Sequence, residues 1–273
     1  MNELQVKDEE IDILLDDIWN IYGYNFKSYA KASIRRRINR LYSLDKFPSF
    51  AEFRFRLSKD ENYLRRFIEE ITVNVTEMFR DPSFYASLKQ QVFPVLATYP
   101  FIRIWHAGCS TGEEVYSMAI CLKEAGLLHK SILYATDINP LVVQKAASGI
   151  FPMSRMKQYS ENYIASQGKE DFSSYYTASY AHAIFDKTLS KHMVFSTHNL
   201  VSESSFNQFQ LIVCRNVLIY FEKDLQLSVF NLFNDSLEKL GFLALGSKET
   251  LRLSPLIAGF RQIDNEKIWR KIS

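Results

Sequence analysis

The chain has 273 residues, 47% of them hydrophobic and 23% charged, with a formal net charge of +2; this composition suits a globular protein of one large or two modest domains. No run approaches the ~20 apolar residues that span a bilayer, so no membrane insertion is expected. The acidic opening MNELQVKDEEIDILLDDIW lacks the basic-then-apolar order of a signal peptide, which makes the cytoplasm the expected location. Cys109, Cys121 and Cys214 show no C-x-x-C spacing and the five histidines show no ligand spacing, so neither a disulfide scaffold nor a zinc ribbon is expected and no metal is assigned.

Residues 9–21 alternate acids with Ile11, Leu14, Leu15 and Ile18, the pattern of a helix with one apolar face. A second helix is predicted over 28–42, with Ile34, Ile38 and Leu41 inward and Lys31, Arg35, Arg36, Arg37 and Arg40 over the rest. Residues 50–57 and 61–73 have helical patterns too, with Pro48 and Ser58-Lys59-Asp60 as breaks, so an all-helical unit is expected over 1–72. The arginine cluster has two readings. It is a solvated face whose long stems cover apolar surface, or a docking surface for an acidic partner. Single-strand nucleic-acid binders interleave aromatics with their basic residues and this run does not; an acidic protein helix is therefore the expected partner, and nucleic acid is not.

Residues 72–82, TVNVTEMFRDP, form a polar, β-branched linker with Asn74, Thr76 and Arg80 at near-alternate positions, and 83–97 are predicted helical. The centre of the chain follows, FIRIWHAGCSTGEEVYSMA over 101–119. Residues 101–105 read as a buried strand, Gly108 and Gly112 bracket a turn, and Val115, Met118, Ala119 and Leu122 mark a helix's buried stripe. Strand, glycine turn and helix make the first half of a nucleotide-binding α/β unit. Glu113 and Glu114 at the start of that helix would repel a pyrophosphate and favour a cationic ligand. S-adenosylmethionine fits, since it carries a sulfonium and an ammonium where a dinucleotide carries phosphates. Asp137 ends the second apolar run (131–136), roughly 20 residues on, where such units hold a ribose diol.

Asn139-Pro140 opens a helix to 147, after which the α/β rhythm fails over 149–192, predicting an inserted subdomain with a helix and short antiparallel strands. Strands are expected at 193–196 and 209–214, and 215–221 sit on the ligand side of the latter. A helix over 223–240 and strands at 241–246 and 267–272 complete the chain, the last strand pairing antiparallel at an edge.

Five blocks in order, NVTEMFRD (74–81), AGCSTGEEVYS (107–117), ATDIN (135–139), STHNL (196–200) and FQLIVCRNVLIYF (209–221), resemble the CheR family, S-adenosylmethionine-dependent methyltransferases that esterify glutamates of bacterial chemotaxis receptors. The resemblance covers nearly the whole length. It implies a helical N-terminal domain (1–72), a linker (73–82) that contributes to the cofactor site, and a class I methyltransferase α/β domain (83–273) carrying a small antiparallel β-subdomain. By similarity, Asn74, Thr76, Arg80, Gly108, Glu113, Asp137, Asn199, Leu200, Arg215 and Asn216 surround the cofactor, whose product is S-adenosylhomocysteine. Arg80 and Tyr220 correspond to the pair beside the transferring methyl group. The docking face would comprise Arg36, Arg37 and Arg40, the partner would be the helical cytoplasmic region of a methyl-accepting receptor, and a monomer is expected. Two departures stand out: Met78 replaces a usual aromatic, and Gly168 stands alone where members that grip a receptor's C-terminal pentapeptide have a glycine-rich loop.

A glutamate nucleophile, whose ordinary side-chain pKa is ~4.3, is already ionised at neutral pH, so the lack of a His–Asp or Cys–His arrangement suits this reaction. Two other classes compete with it. A protein that binds S-adenosylmethionine or its product as a signal, without transfer, is disfavoured by the intact Arg80 and Tyr220. The other is a methyltransferase for nucleic acid or a small molecule; the Asn/Asp-Pro-Pro-Tyr turn used on base amines is lacking in this chain.

Overall fold

A computed structural model of the chain describes residues 6–263 and 265–272; residues 1–5 of the expected helical unit, Asp264 and Ser273 lie outside them. Four amphipathic helices come first: α1 (Asp8–Tyr22), α2 (Lys31–Leu44), α3 (Phe50–Lys59) and α4 (Glu61–Ile71). Asp60 ends α3 and caps α4, its carboxylate accepting the N–H groups of Asn62 and Tyr63, which satisfies donors that the first helical turn leaves unpaired. The apolar faces close on a core of their own, with Leu14, Ile18, Phe26, Ile38, Leu41, Phe53 and Phe67 buried.

After the linker, α5 (Pro82–Ser87) runs through a π-helical turn (Leu88–Val92) into α6 (Phe93–Leu96). The wide turn falls just before Pro94, whose ring and missing N–H would break a regular helical ladder. The α/β unit then follows in order: β1 (Ile102–Ala107), α7 (Glu113–Glu124), β2 (Ser131–Asp137) and α8 (Pro140–Ser148). Next come β3 (Ile150–Pro152), α9 (Met156–Ala165), β4 (Tyr176–Ser179), β5 (His182–Phe185) and α10 (Lys187–Ser190). The chain closes with β6 (Met193–Thr197), β7 (Phe209–Cys214), α11 (Lys223–Ser236), β8 (Leu237–Leu245), β9 (Phe260–Gln262) and β10 (Ile268–Lys271).

The main sheet has the order β6-β2-β1-β7-β8-β10-β9. The neighbours from β6 to β8 pair in parallel, and β10 pairs antiparallel with both β8 and β9. Cores cover both faces, one holding Ile104, Met118 and Leu133, the other Trp105, Phe233 and Leu243; hence β7, buried at every position, is apolar except for Gln210, whose side chain accepts the Arg103 N–H. The stretch after α8 contributes a separate three-stranded antiparallel sheet, β3-β5-β4.

Three sequence expectations need correction. The helix predicted to reach residue 240 stops at Ser236, because Leu237 is buried as the partner of Phe209 and already belongs to β8. The last strand is not at the edge: β9, too short at three residues to show a periodicity, lies outside it. Phe101 falls before β1 and is exposed.

Candidate functional site

In this strand order, β1 and β7 flank the point where the sheet changes direction, the place where α/β sheets bind ligands. A cleft of about 1070 Å³, including its open mouth, lies there. Its lining comes from the helical unit (Tyr29, Ser33, Ile34), from the linker (71–77 and Arg80), and from the loops after β1, β2, β6 and β7. The β1 loop is held against β2 by the N–H groups of Gly108 and Cys109, both donating to the Thr136 carbonyl at 2.8 and 2.9 Å. Gly108 has φ +79°, and a Cβ there would meet Val217 Cγ2 at 2.4 Å. Only glycine permits both the conformation and the approach.

Asp137 ends β2 facing this loop. One carboxylate oxygen accepts the Ser110 N–H at 2.9 Å and the other the Asn139 N–H at 3.0 Å. Burial pushes its pKa up, against the opposing pull of the Asn139, Ser110 and Ile138 N–H groups. Asn139 in turn caps α8 through the Leu141 N–H. A carboxylate fixed by backbone donors at a strand end still has lone pairs for a diol.

The two glutamates of the α7 start point different ways. Glu113 is buried and takes the Thr111 hydroxyl at 2.6 Å and the more distant Tyr159 hydroxyl at 3.4 Å; it is not among the residues lining the cleft. Glu114 lines it, pairing with His106 Nδ1 at 3.0 Å and Arg215 Nη1 at 3.1 Å. Burial alone would raise the pKa of Glu114, but the His106 bond and the Arg215 charge together hold it below the usual glutamate value. Arg215 is almost fully buried. Its second amino group reaches the Asp81 carboxylate at 2.6 Å and the Arg80 carbonyl at 3.1 Å, and its guanidinium lies 4.1 Å over the Phe84 ring. Through its two amino groups this side chain ties the linker, α7 and β7 together, while its Nε has no hydrogen-bond partner among the described residues.

The linker is fixed at both ends. Phe79 and Asp81 adopt left-handed φ of 52° and 57°, a conformation that costs side-chain-bearing residues about 1 kcal/mol or more each. The Phe79 N–H donates to Ser117 Oγ at 3.0 Å and the Met78 carbonyl accepts from Asn162 on α9. Met78 is fully buried, so the departure from an aromatic there is a matter of packing. Between these anchors, Arg80 is delivered to the cleft with its side chain making no hydrogen bond or ion pair to a described residue.

Tyr220 lies in a turn organised by a residue that sequence reasoning passed over. Glu249, buried after β8, accepts the N–H groups of Asn216 (3.0 Å), Val217 (2.9 Å), Leu218 (2.8 Å) and Gly246 (2.6 Å). Burial raises its pKa and these four donors lower it. The Tyr220 hydroxyl is half-buried; burial raises its pKa, while Arg37 and Arg80 oppose that shift. The backbone of Tyr220 also meets the helical unit, the Ala30 N–H donating to its carbonyl at 2.8 Å and the Glu222 N–H to the Ser28 carbonyl at 2.9 Å.

Of the residues expected around the cofactor, Asn74, Thr76, Arg80, Gly108, Asp137, Asn199, Leu200, Arg215 and Asn216 line one cleft together with Tyr220, and Glu113 sits behind it. Of the expected docking arginines, Arg37 donates to the Glu70 carbonyl at 3.0 Å and Arg40 pairs with the Glu70 carboxylate at 3.2 Å. Arg36 is exposed and makes no ion pair with a described residue. Tyr29, Glu114 as a cleft wall, His198 and Glu249 were missed. The only sequence signal for Glu249 was its place just after a strand end; Tyr29 carried none.

The residues present fit S-adenosylmethionine. Gly108 and Ser110 line the cleft beside Asp137, and the buried Ser110 hydroxyl has no hydrogen-bond partner among the described residues. The one fully buried cation in the wall, Arg215, is already neutralised by Asp81 and Glu114. Sheet order, glycine loop and carboxylate define a class I S-adenosylmethionine-dependent methyltransferase. Residues 9–72 match the family of the CheR methyltransferase all-alpha domain and residues 74–266 that of the CheR methyltransferase SAM binding domain. The chain belongs to the CheR methyltransferase family. A Pseudomonas putida protein with the name putative methyltransferase Cher3 is 45% identical over 97% of both chains. The chemotaxis protein methyltransferase of Listeria monocytogenes is 32% identical over 89% of this chain and 90% of its own; that of Borreliella burgdorferi is 30% identical over 91% and 90%. Among solved structures, the N-methyltransferase NodS of Bradyrhizobium japonicum, in complex with S-adenosyl-L-homocysteine, is similar with a TM-score of 0.40 and 14% identity over 71% of this chain and 91% of that one. Among the described residues no helix is long and apolar enough to cross a membrane.

Proposed function

We propose that this enzyme methylates glutamate side chains in the helical cytoplasmic region of chemotaxis receptors, forming glutamyl methyl esters. The observation that carries the reading is the meeting of Arg80 and Tyr220 in the cofactor cleft, beside a basic helix of the N-terminal unit. The relatives named chemotaxis protein methyltransferases support the same assignment.

S-adenosylmethionine supplies a positively charged methyl donor. Asp137 would hold the ribose diol beside the loop of Gly108, and Asn199, Leu200 and Asn216 would line the base's end of the cleft. Asn74, Thr76 and Arg80 take the amino-acid end, with Glu113 offsetting positive charge from behind. Arg215 serves through its backbone and by holding the linker. A carboxylate is ionised without help, so the protein's task is alignment at near-attack distance, an effect worth up to ~7–11 kcal/mol. Attraction between carboxylate and sulfonium fades in the transition state, and a cation paired tightly with the nucleophile would stabilise the ground state more. The neutral Tyr220 hydroxyl orients the carboxylate without that penalty, and Arg80 anchors the cofactor's own carboxylate. Arg36 contributes the free charge of the docking face, flanked by Arg37 and Arg40.

Incubation of the enzyme with methyl-tritiated cofactor and receptor cytoplasmic fragments tests this. Label released by alkali as methanol, with mass spectrometry placing a 14-dalton addition on glutamate, is the expected outcome. Label stable to alkali, or located on nitrogen, would overturn it.

A further inference from the structure

The cleft has a wall that the methyltransferase unit does not supply. Tyr29 lies between α1 and α2, two residues before the helix that carries the arginines, yet it lines the cofactor cleft with Ser33 and Ile34. Its backbone is fixed from both sides. It forms an antiparallel bridge with Phe221, flanked by the bonds from Ala30 to Tyr220 and from Glu222 to Ser28. Its ring is clamped edge-on between Phe26 at 5.2 Å and Phe221 at 4.8 Å.

A ring so held has little freedom, and its hydroxyl makes no hydrogen bond to a described residue. Tyr29 and Asp137 line the same cleft; burial raises the phenol's pKa, and the charge of Asp137 raises it further. The residue is partly exposed and lines the cleft, so its phenol is open to a ligand there. A ligand with hydroxyls next to Asp137 would satisfy it, since a phenol both donates and accepts.

We propose that Tyr29 is a cofactor-binding residue contributed by the helical domain, its hydroxyl bonding the ribose held by Asp137. The inference rests on the cofactor and not on the identity of the methyl acceptor, so it survives or fails independently of the glutamate assignment. It also gives the helical unit a share in the cofactor site, beyond docking a substrate.

The test is calorimetric titration of S-adenosylhomocysteine into the full chain and into Tyr29→Phe. A single neutral hydrogen bond corresponds to about a three- to tenfold loss of affinity, expected here with the ligand-free unfolding temperature unchanged. The loss should not add to that caused by a deoxyribose analogue of the ligand, because both changes remove the same bond. Equal affinity of Tyr29→Phe and the parent would overturn the proposal, as would full additivity with the analogue. Tyr29→Ala, which removes the ring as well, should bind more weakly than Tyr29→Phe.

Discussion

Tyr220 and Asp137 line one cleft, and substitution separates the roles proposed for them. Tyr220→Phe leaves the ring's packing and the backbone bond to Ala30 in place, so S-adenosylhomocysteine should bind within about twofold of the parent. Turnover should fall about 10- to 100-fold, as expected for a hydrogen bond to a charged group worth ~1.5–3 kcal/mol. Steady-state kinetics with titration of the product measures both, and parent-like turnover would remove Tyr220 from the mechanism. Asp137 predicts a pH dependence. Its folded-state pKa is raised, burial being the main cause, so on acidification it becomes neutral at a higher pH than an ordinary aspartate. Affinity for S-adenosylhomocysteine should therefore hold at neutral pH and decline as the pH falls, starting above the usual carboxylate range. Asp137→Asn should bind weakly at every pH, with a flat profile.

At the level of elements, the loop after β7 depends on a partner distant in sequence. Glu249→Gln replaces an acceptor of four N–H groups, two on each oxygen, with an amide whose NH2 faces two of them. A loss of about 2–3 kcal/mol is expected from charged hydrogen bonds of this kind, seen as a fall of roughly 4–12 °C in unfolding temperature at this chain length. Turnover should drop with it. This contact was illegible in the sequence because a carboxylate's partners across a fold leave no periodicity. The parallel strands were legible, since β1, β2 and β7 are apolar runs, and so were the helix starts at Pro140 and after Asp60, where local chemistry decides. The end of α11 was not: residues 237–240 continue a helical pattern, but pairing of Leu237 with Phe209 outweighs propensity. Gly108 and Asp137 were readable as neighbours in one cleft because a glycine turn after one strand and a carboxylate ending the next lie side by side in a unit of this kind. Glu113 and Glu114, adjacent in sequence, were not separable until the geometry of the helix start turned one to Thr111 and the other to Arg215.

For the whole molecule, the two units keep separate cores but share the cleft. The arginine face and the cofactor site are thereby carried on one frame, with Arg37 bonded to α4 while its charge acts on Tyr220. Arg36→Glu reverses a free surface charge, so it should weaken binding of an acidic receptor fragment several-fold and more steeply at low salt. Affinity for S-adenosylhomocysteine and the unfolding temperature should stay at parental values. Binding curves for the fragment at two ionic strengths check this, and unchanged fragment affinity would move the docking face elsewhere.

The bridge between Tyr29 and Phe221 joins stretches separated by most of the polypeptide. During synthesis the four N-terminal helices emerge first and can bury their own apolar faces, whereas the bridging strand must wait until β7 and its turn have left the ribosome. A truncated product could therefore have a folded front end with an unfinished pocket. The nucleoside, which finds a complete pocket only in the finished chain, would act as a late stabiliser, with a gain that grows with its concentration.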